Sequence, residues 1–269
     1  MGKIDFNRLL FGLALGHAGM DPASVSDFLT PGMFDAIEMP TECFLRPDYE
    51  FQRRFASCKF KAVRAGHLMA PDLTRNIPFL AENYRRDFAD QAAIMIRTLA
   101  GAGASGAFLG FDMRRILGDA EAEKAALEII RRLTPVLYRE NFELLLPYRL
   151  PFRAESDVLT APLMGRFLRG TLSRFVKLSL EIHPYEVKPE EDRSEMLGLL
   201  GCEAHQAVLI YDADSGLHIA ASQLRPWAEL LEQRMFRGPY LLCPRSMRNR
   251  MAIPESDLFA KMVSDLRNE

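Results

Sequence analysis

VKLSLEIHPYE, residues 176 to 186, alternates apolar and polar side chains with a strand's period of two. Val176, Leu178, Leu180 and Ile182 fall on one face, and Lys177, Ser179, Glu181 and His183 fall on the other. The polar face ends in a carboxylate and an imidazole about 7 Å apart by strand rise, and Pro184 then stops the strand. In an antiparallel sheet such a face would simply meet water. In an α/β barrel the apolar face meets the outer helices, while the polar face points to the barrel axis and to the C-terminal mouth where active sites of that architecture are built.

Working outward from this stretch, strand-like and helix-like segments alternate eight times with no composition break that would mark a linker. Strands are expected over Leu9–Gly16, Phe34–Met39, Phe60–His67, Gly106–Phe111, Phe142–Tyr148, Val176–His183, Ala207–Tyr211 and Tyr240–Cys243. The intervening helices are expected over Asp21–Leu29, within Pro47–Ala56, over Phe79–Ala100, Asp119–Glu140, Leu163–Arg174, Glu190–Leu200 and Trp227–Phe236, with Ser256–Leu266 closing the chain. Eight strand-then-helix units predict an α/β protein, a single (β/α)8 TIM barrel spanning residues 1–269 as one domain. The competing doubly wound open sheet lacks its glycine signature, because Gly16-His-Ala-Gly19 after the first strand has no third glycine.

Composition narrows the function classes. A net charge of −2 offers no basic excess to grip a phosphate backbone, which argues against a nucleic-acid partner. Cys43, Cys58, Cys202 and Cys243 are widely spaced, without a CxxC pair, so neither a zinc ribbon nor a disulfide framework is indicated and reduced thiols in a cytoplasm fit best. The apolar run Leu9–Leu15 behind Lys3 and Arg8 is short and broken by glycine; it fits a first buried strand better than a leader peptide. No stretch approaches the ~20 apolar residues of a membrane span.

Barrel sites draw on the C-terminal ends of strands, which here supply His17, Glu38, His67, Asp112, Arg149, Glu181, His183, Asp212, Asp214 and Arg245. Parity sorts them. Ile37 and Met39 share the buried face of strand two and send Glu38 to the other side, where a carboxylate needs a partner or a function. Gly12, Ala14 and Gly16 form a small-residue face on strand one. His17 precedes Ala18-Gly19 and suits a loop; Asp112 suits a helix cap. Asp212 and Asp214 share the face of Val208 and Ile210 and suit a turn. Arg149 and Arg245 each stand beside a proline after a strand, as a surface salt bridge or as an anion-binding pair. Glu181 and His183 are the leading candidates: both side-chain types bind divalent cations and both serve as general acid or base.

On these residues the chain resembles the xylose isomerase-like barrel superfamily of sugar isomerases, keto-sugar epimerases and metal-dependent apurinic-site endonucleases. The resemblance rests on strand–helix order over nearly the whole chain. Its more specific points are Phe34-Asp-Ala-Ile-Glu38, Ala65-Gly-His67, Leu180-Glu-Ile-His183 and Leu209-Ile-Tyr-Asp212. It implies one divalent metal held by a glutamate on strand five, an acidic residue on strand six, a histidine on or near strand seven and a glutamate on strand eight, with the two glutamates moving a proton between adjacent substrate carbons. Glu181 matches the acidic position on strand six, and His67 matches a substrate-facing histidine on strand three. Strand five ends instead in Leu146-Pro147-Tyr148 and strand eight in Leu242-Cys243-Pro244; on strand seven His205 stands well before Asp212.

The expectation is therefore a cytoplasmic sugar isomerase- or epimerase-like barrel acting on a small carbohydrate or sugar acid, with self-association left open. Glu181 and His183 are its catalytic pair or its metal ligands, and Glu38, His67, Arg149 and Arg245 contact substrate. A divalent cation (Mn, Mg or Zn) and no cofactor at all both remain open. The rival expectation is a barrel that has lost its catalytic metal and binds a ligand or partner without turnover.

Overall fold

A computed structural model describes residues 8–149, 160–183, 204–212, 217–233, 235–245, 261 and 263–264. Its strands are β1 (Phe11–Ala14), β2 (Ala36–Met39), β3 (Ala62–Ala65), β4 (Gly106–Phe108), β5 (Glu143–Arg149), β6 (Val176–Ile182), β7 (Ala204–Asp212) and β8 (Tyr240–Arg245). Each pairs in parallel with the next, and β8 pairs with β1, so the sheet closes into an eight-stranded barrel. The expected TIM-barrel architecture is the observed one. Closure brings β1 hard against β2: a Cβ on Gly12 would lie 2.1 Å from the carbonyl oxygen of Ala36, so only glycine fits there.

The described helices are α1 (Glu42–Leu45), α2 (Tyr49–Ser57), α3 (Pro71–Asn76), α4 (Glu82–Gly101), α5 (Met113–Leu117), α6 (Ala120–Glu140), α7 (Thr160–Thr171) and α8 (Leu217–Gln233). Asp21–Leu29 is a 3-10 helix over Pro22–Phe28, capped by the Asp21 side chain. The short α1, α3 and α5 lie in the loops above the barrel and are not foreseen by periodicity. The helix before β8 begins at Leu217, upstream of the expected Trp227, because it continues through Pro226; burial of Trp227, Ala228 and Leu231 holds its far turns against the barrel. The expected helix at Glu190–Leu200 lies outside the described residues, as does the connection over 150–159. Of Ser256–Leu266, residues 261, 263 and 264 are described, and all are helical.

Side chains of alternating parity build two cores. Leu13, Ile37, Val63, Leu144, Leu178, Leu180, Ile182, Leu209 and Leu242 face the helices in the larger one. Ala14, Ala36, Ala62, Phe108, Leu145, Val208, Ile210, Leu241 and Cys243 fill the barrel interior. Pro147 is tolerated within β5 because the last bond on its β4 side runs from the Leu109 amide to the Leu145 carbonyl, and β4 has ended before Pro147 would need a donor.

The N-terminal end of the interior is filled by charge. Arg64 on β3 is 6% exposed; it donates to Glu143 on β5 at 2.5 Å and to the Ser105 hydroxyl, and His205 lies 2.9 Å from the other Glu143 oxygen. Gly106 makes this possible, since a Cβ there would sit 3.2 Å from the Arg64 stem. Burial works to raise the Glu143 pKa, but the bond to His205 and the charges of Arg64 and Lys177 overcome it and hold the carboxyl below the usual carboxylate value. Stability from Glu143 is thus present above the ordinary carboxylate pKa and is lost as pH falls. Removing one partner of a buried pair strands the other. Arg64→Ala is expected to destabilise the fold by about 3 kcal/mol, read as a lowered urea midpoint at pH 7.

Candidate functional site

At the opposite end of the barrel, two carboxylates and two imidazoles converge. Glu38 on β2 projects into the interior, as its parity predicts, and has no exposed surface. One of its oxygens lies against the backbone of the β1 and β3 ends: a Cβ on Gly16 would be 2.6 Å from Oε1, and one on Gly66 would be 3.2 Å from it. Those two glycines make the space that the carboxylate fills. Neither Glu38 side-chain oxygen has a hydrogen-bond partner.

Above Glu38 stands His17. As a continuation of β1, its parity would send it outward. Instead the chain turns after Ala14, with bonds from the Ala18 amide to the Ala14 carbonyl, from Gly19 to Gly16 and from Met20 to Leu15. This turn brings the imidazole back over the barrel mouth, where its ring centroid is 5.8 Å from that of Phe108. Nδ1 lies 4.0 Å from Glu38 Oε2, and Nε2 lies 3.0 Å from Glu181 Oε1. His17 therefore bridges a sealed carboxylate below and a partly exposed one at the rim.

The two carboxylates are driven in opposite directions. Burial pushes Glu38 from the ordinary value of 4.5 to about 7; His17 opposes the rise, and the charge of Glu181 adds to it. Burial also acts to raise Glu181, but the hydrogen bond and charge of His17, with His183 and Arg149 nearby, hold it below the usual carboxylate value. Paired titratable groups with diverging pKa values are the usual mark of divided acid and base roles. His67, just after β3, is anchored through its backbone: its amide donates to the Thr41 hydroxyl at 3.1 Å, and that hydroxyl donates to its carbonyl. Its Nδ1 is buried without a partner, and burial, followed by the charge of His17, lowers its pKa.

The other expected residues are placed as follows. His183 is buried just beyond the end of β6. Arg149 ends β5 opposite Glu181, and both line a cleft of about 360 Å³ together with Arg75, Asp112, Arg114 and Tyr148. Asp112 also caps α5, accepting from the Arg115 amide at 3.4 Å. Arg245 ends β8 opposite Asp212; their side chains, and all of Asp214, lie outside the described residues. Arg75 and Arg114 were not singled out by strand-end reasoning, because they sit on short loop helices with no periodic signal.

No protein-family model and no curated protein matches this sequence. Solved structures do match. A D-allulose 3-epimerase from Methylomonas sp. superposes with a TM-score of 0.67 at 16% identity, over 97% of each chain. The 3-keto-D-glucoside 4-epimerase of E. coli gives 0.57 at 16%, over 96% of this chain and 95% of the other. A xylose isomerase-like TIM barrel protein from Mycobacterium smegmatis, in complex with magnesium, gives 0.55 at 12%, over 98% and 97%. The fold is that of the xylose isomerase-like barrels.

The metal site that the sequence resemblance implies does not fit the donors found among the described residues. Pro147 and Cys243 take the interior-facing positions near the ends of β5 and β8 where its glutamates would stand. The space between Glu38 and Glu181 is taken by the His17 imidazole. Among the described residues no three His, Cys, Asp or Glu side chains are arranged to hold a metal ion, so Glu181 and His183 find no third ligand there.

The raised pKa of Glu38 makes its burial visible as a pH dependence. A carboxyl with an elevated folded-state pKa contributes stability that is complete below pH 4.5 and lost as pH rises through about 7. Relative to a Glu38→Gln variant, the wild-type protein is expected to lose about 3 kcal/mol between pH 4.5 and pH 8. Paired urea titrations of the two proteins across that range measure it, and parallel curves would show that Glu38 is not desolvated.

Proposed function

We propose that this barrel is a sugar isomerase- or epimerase-like enzyme that moves a proton on a carbon beside a carbonyl of a small carbohydrate or sugar acid. The observation that carries the reading is His17 bridging Glu38 and Glu181 at the barrel mouth, with the carboxylate pKa values pushed apart. Overall likeness to two sugar epimerases supports the substrate class.

In this reading Glu181, ionised and open to the cleft, removes the substrate proton. His17, whose Nε2 lies 3.0 Å from Glu181 Oε1, orients that carboxylate and can receive the proton it removes. Glu38 has no exposed surface, so it acts on the mouth only through the imidazole that stands above it. His67, with a lowered pKa, stays neutral and offers a ring nitrogen to a substrate hydroxyl. His183 supports Glu181 electrostatically, and Arg149 at the end of β5 faces an anionic group.

The rival reading, a barrel that binds without turnover, is favoured by Pro147 and Cys243 standing where metal-binding glutamates are implied. Incubating the protein with a panel of ketoses, aldoses and sugar acids in D2O separates the two. Wild type is expected to wash deuterium into a carbon-bound position of one compound, followed by proton NMR, and Glu181→Gln to slow that exchange by about 100-fold or more. A compound that raises the melting temperature yet never exchanges would establish the non-catalytic reading.

A further inference from the structure

We propose that the outward face of α4 is where two copies of this chain meet, as an antiparallel helix pair about a two-fold axis at Ile94. This goes beyond the proposed function and does not depend on it.

One face of α4 is anchored and the other is bare. Phe88, Ala92, Ile96 and Leu99 are buried on the inner side. Asp87, Asp90, Gln91, Ile94, Arg97 and Thr98, spaced by three and four residues along the outer side, are exposed. Ile94 stands in the middle of that outer face and is 60% exposed. A lone apolar side chain on a surface is ordinary, but this one is flanked by two uncompensated charges. Among the described residues no hydrogen bond or ion pair reaches the Asp90 carboxylate or the Arg97 guanidinium, although the first turns of the same helix pair Arg86 with Glu82 at 2.9 Å.

The order of those charges selects a second copy as the partner. By helical rise Asp90 lies about 6 Å before Ile94 and Arg97 about 4.5 Å after it. Residues seven apart fall within about 20° of each other around a helix, so Asp90 and Arg97 share one flank of Ile94, and Gln91 and Thr98 share the other. A two-fold axis crossing the helices at Ile94 reverses their direction and keeps the flanks. Asp90 of each copy then meets the partner's Arg97, Gln91 meets the partner's Thr98, and the two Ile94 side chains meet on the axis. Every contact occurs twice, which is the condition for a self-complementary interface that closes at two copies. A parallel pairing in register would set Asp90 against Asp90 and Arg97 against Arg97, and a partner of uniform charge would repel one of the two. The contact is modest. A helix of 20 residues is about 30 Å long and offers less than the ~800 Å² per partner of a standard interface, so the dimer is a weak one. Because α4 leads from the mouth end of β3 to the base of β4, antiparallel packing sends the two mouths in opposite directions and leaves both clefts open.

Sedimentation equilibrium of the full-length protein between about 10 µM and about 1 mM tests this. The average mass should climb from that of one chain toward that of two and no further, and association should weaken severalfold as salt rises from about 50 to about 500 mM. Asp90→Arg alone and Arg97→Asp alone should each weaken association by about tenfold or more, and Ile94→Lys should abolish it. Asp90→Arg combined with Arg97→Asp should restore it, because the exchanged charges oppose each other again across the same axis. Restoration by the double substitution separates a charge pair from damage to the fold, and circular dichroism checks each variant. A chain that stays monomeric at about 1 mM, a mass that grows past two chains, a dimer untouched by Ile94→Lys, or a double substitution no better than the single ones would overturn the inference.

Discussion

Closure of eight parallel strands is the constraint on which everything else in this molecule depends. Once β8 pairs with β1, every strand has one parity inside and one outside, and no side chain of the inner set can escape to solvent except at the two ends. That geometry turns Ala36 and Glu38, Leu145 and Pro147, Ser179 and Glu181 into interior residues of successive levels. It also sets the demand for small residues. Gly12, Gly16 and Gly66 mark places where a neighbouring backbone or the Glu38 carboxylate already occupies the space of a Cβ. The middle of the barrel is sealed and largely apolar, with Gln206 donating to Ser179 at 3.4 Å inside it, and the charged groups collect above and below.

The sequence revealed the architecture because strand parity and helix periodicity are local signals, repeated eight times. The inward course of Glu38 and Glu181 followed from the alternation of Ile37 with Met39 and of Leu180 with Ile182. Two things were not legible. The role of His17 depends on the turn after Ala14 reversing the parity of the strand before it, and a turn's direction is set by backbone bonds such as Ala18 to Ala14 that no composition rule announces. The arginine cleft combines α3, α5 and β5, elements remote in the chain and, in two cases, only about one turn long. Arg64 and Glu143 were passed over for a related reason: reading only the C-terminal strand ends ignores the charges that plug the other end.

The absence of glutamates at the ends of β5 and β8 changes what the mouth can do. Here the described groups near Glu181 are side chains, the His17 imidazole at 3.0 Å and the guanidinium of Arg149 beside the cleft. An imidazole can both carry charge and hand over a proton, and this one stands between two carboxylates of different strength. Pro147 narrows the options further, since a residue without a polar side chain now occupies the interior-facing position on β5.

The two interior carboxylates of this barrel provide an internal comparison. Glu143 and Glu38 lie in the same lumen, on β5 and β2 with two strands between them, and both are substantially removed from water. Glu143 is met by Arg64 and His205 at hydrogen-bond distance and sits below its ordinary pKa. Glu38 has, among the described side chains, His17 at 4.0 Å, and burial raises it to about 7. A barrel that can surround one buried carboxylate with partners has the means to surround another. Leaving Glu38 under-satisfied lowers stability at neutral pH, and such local conflicts concentrate at functional sites because a group fully satisfied in the resting protein has little tendency to exchange a proton. The contrast between the two ends, one balanced for folding and one held out of balance beneath His17, is the physical reason for assigning the chemistry to the mouth.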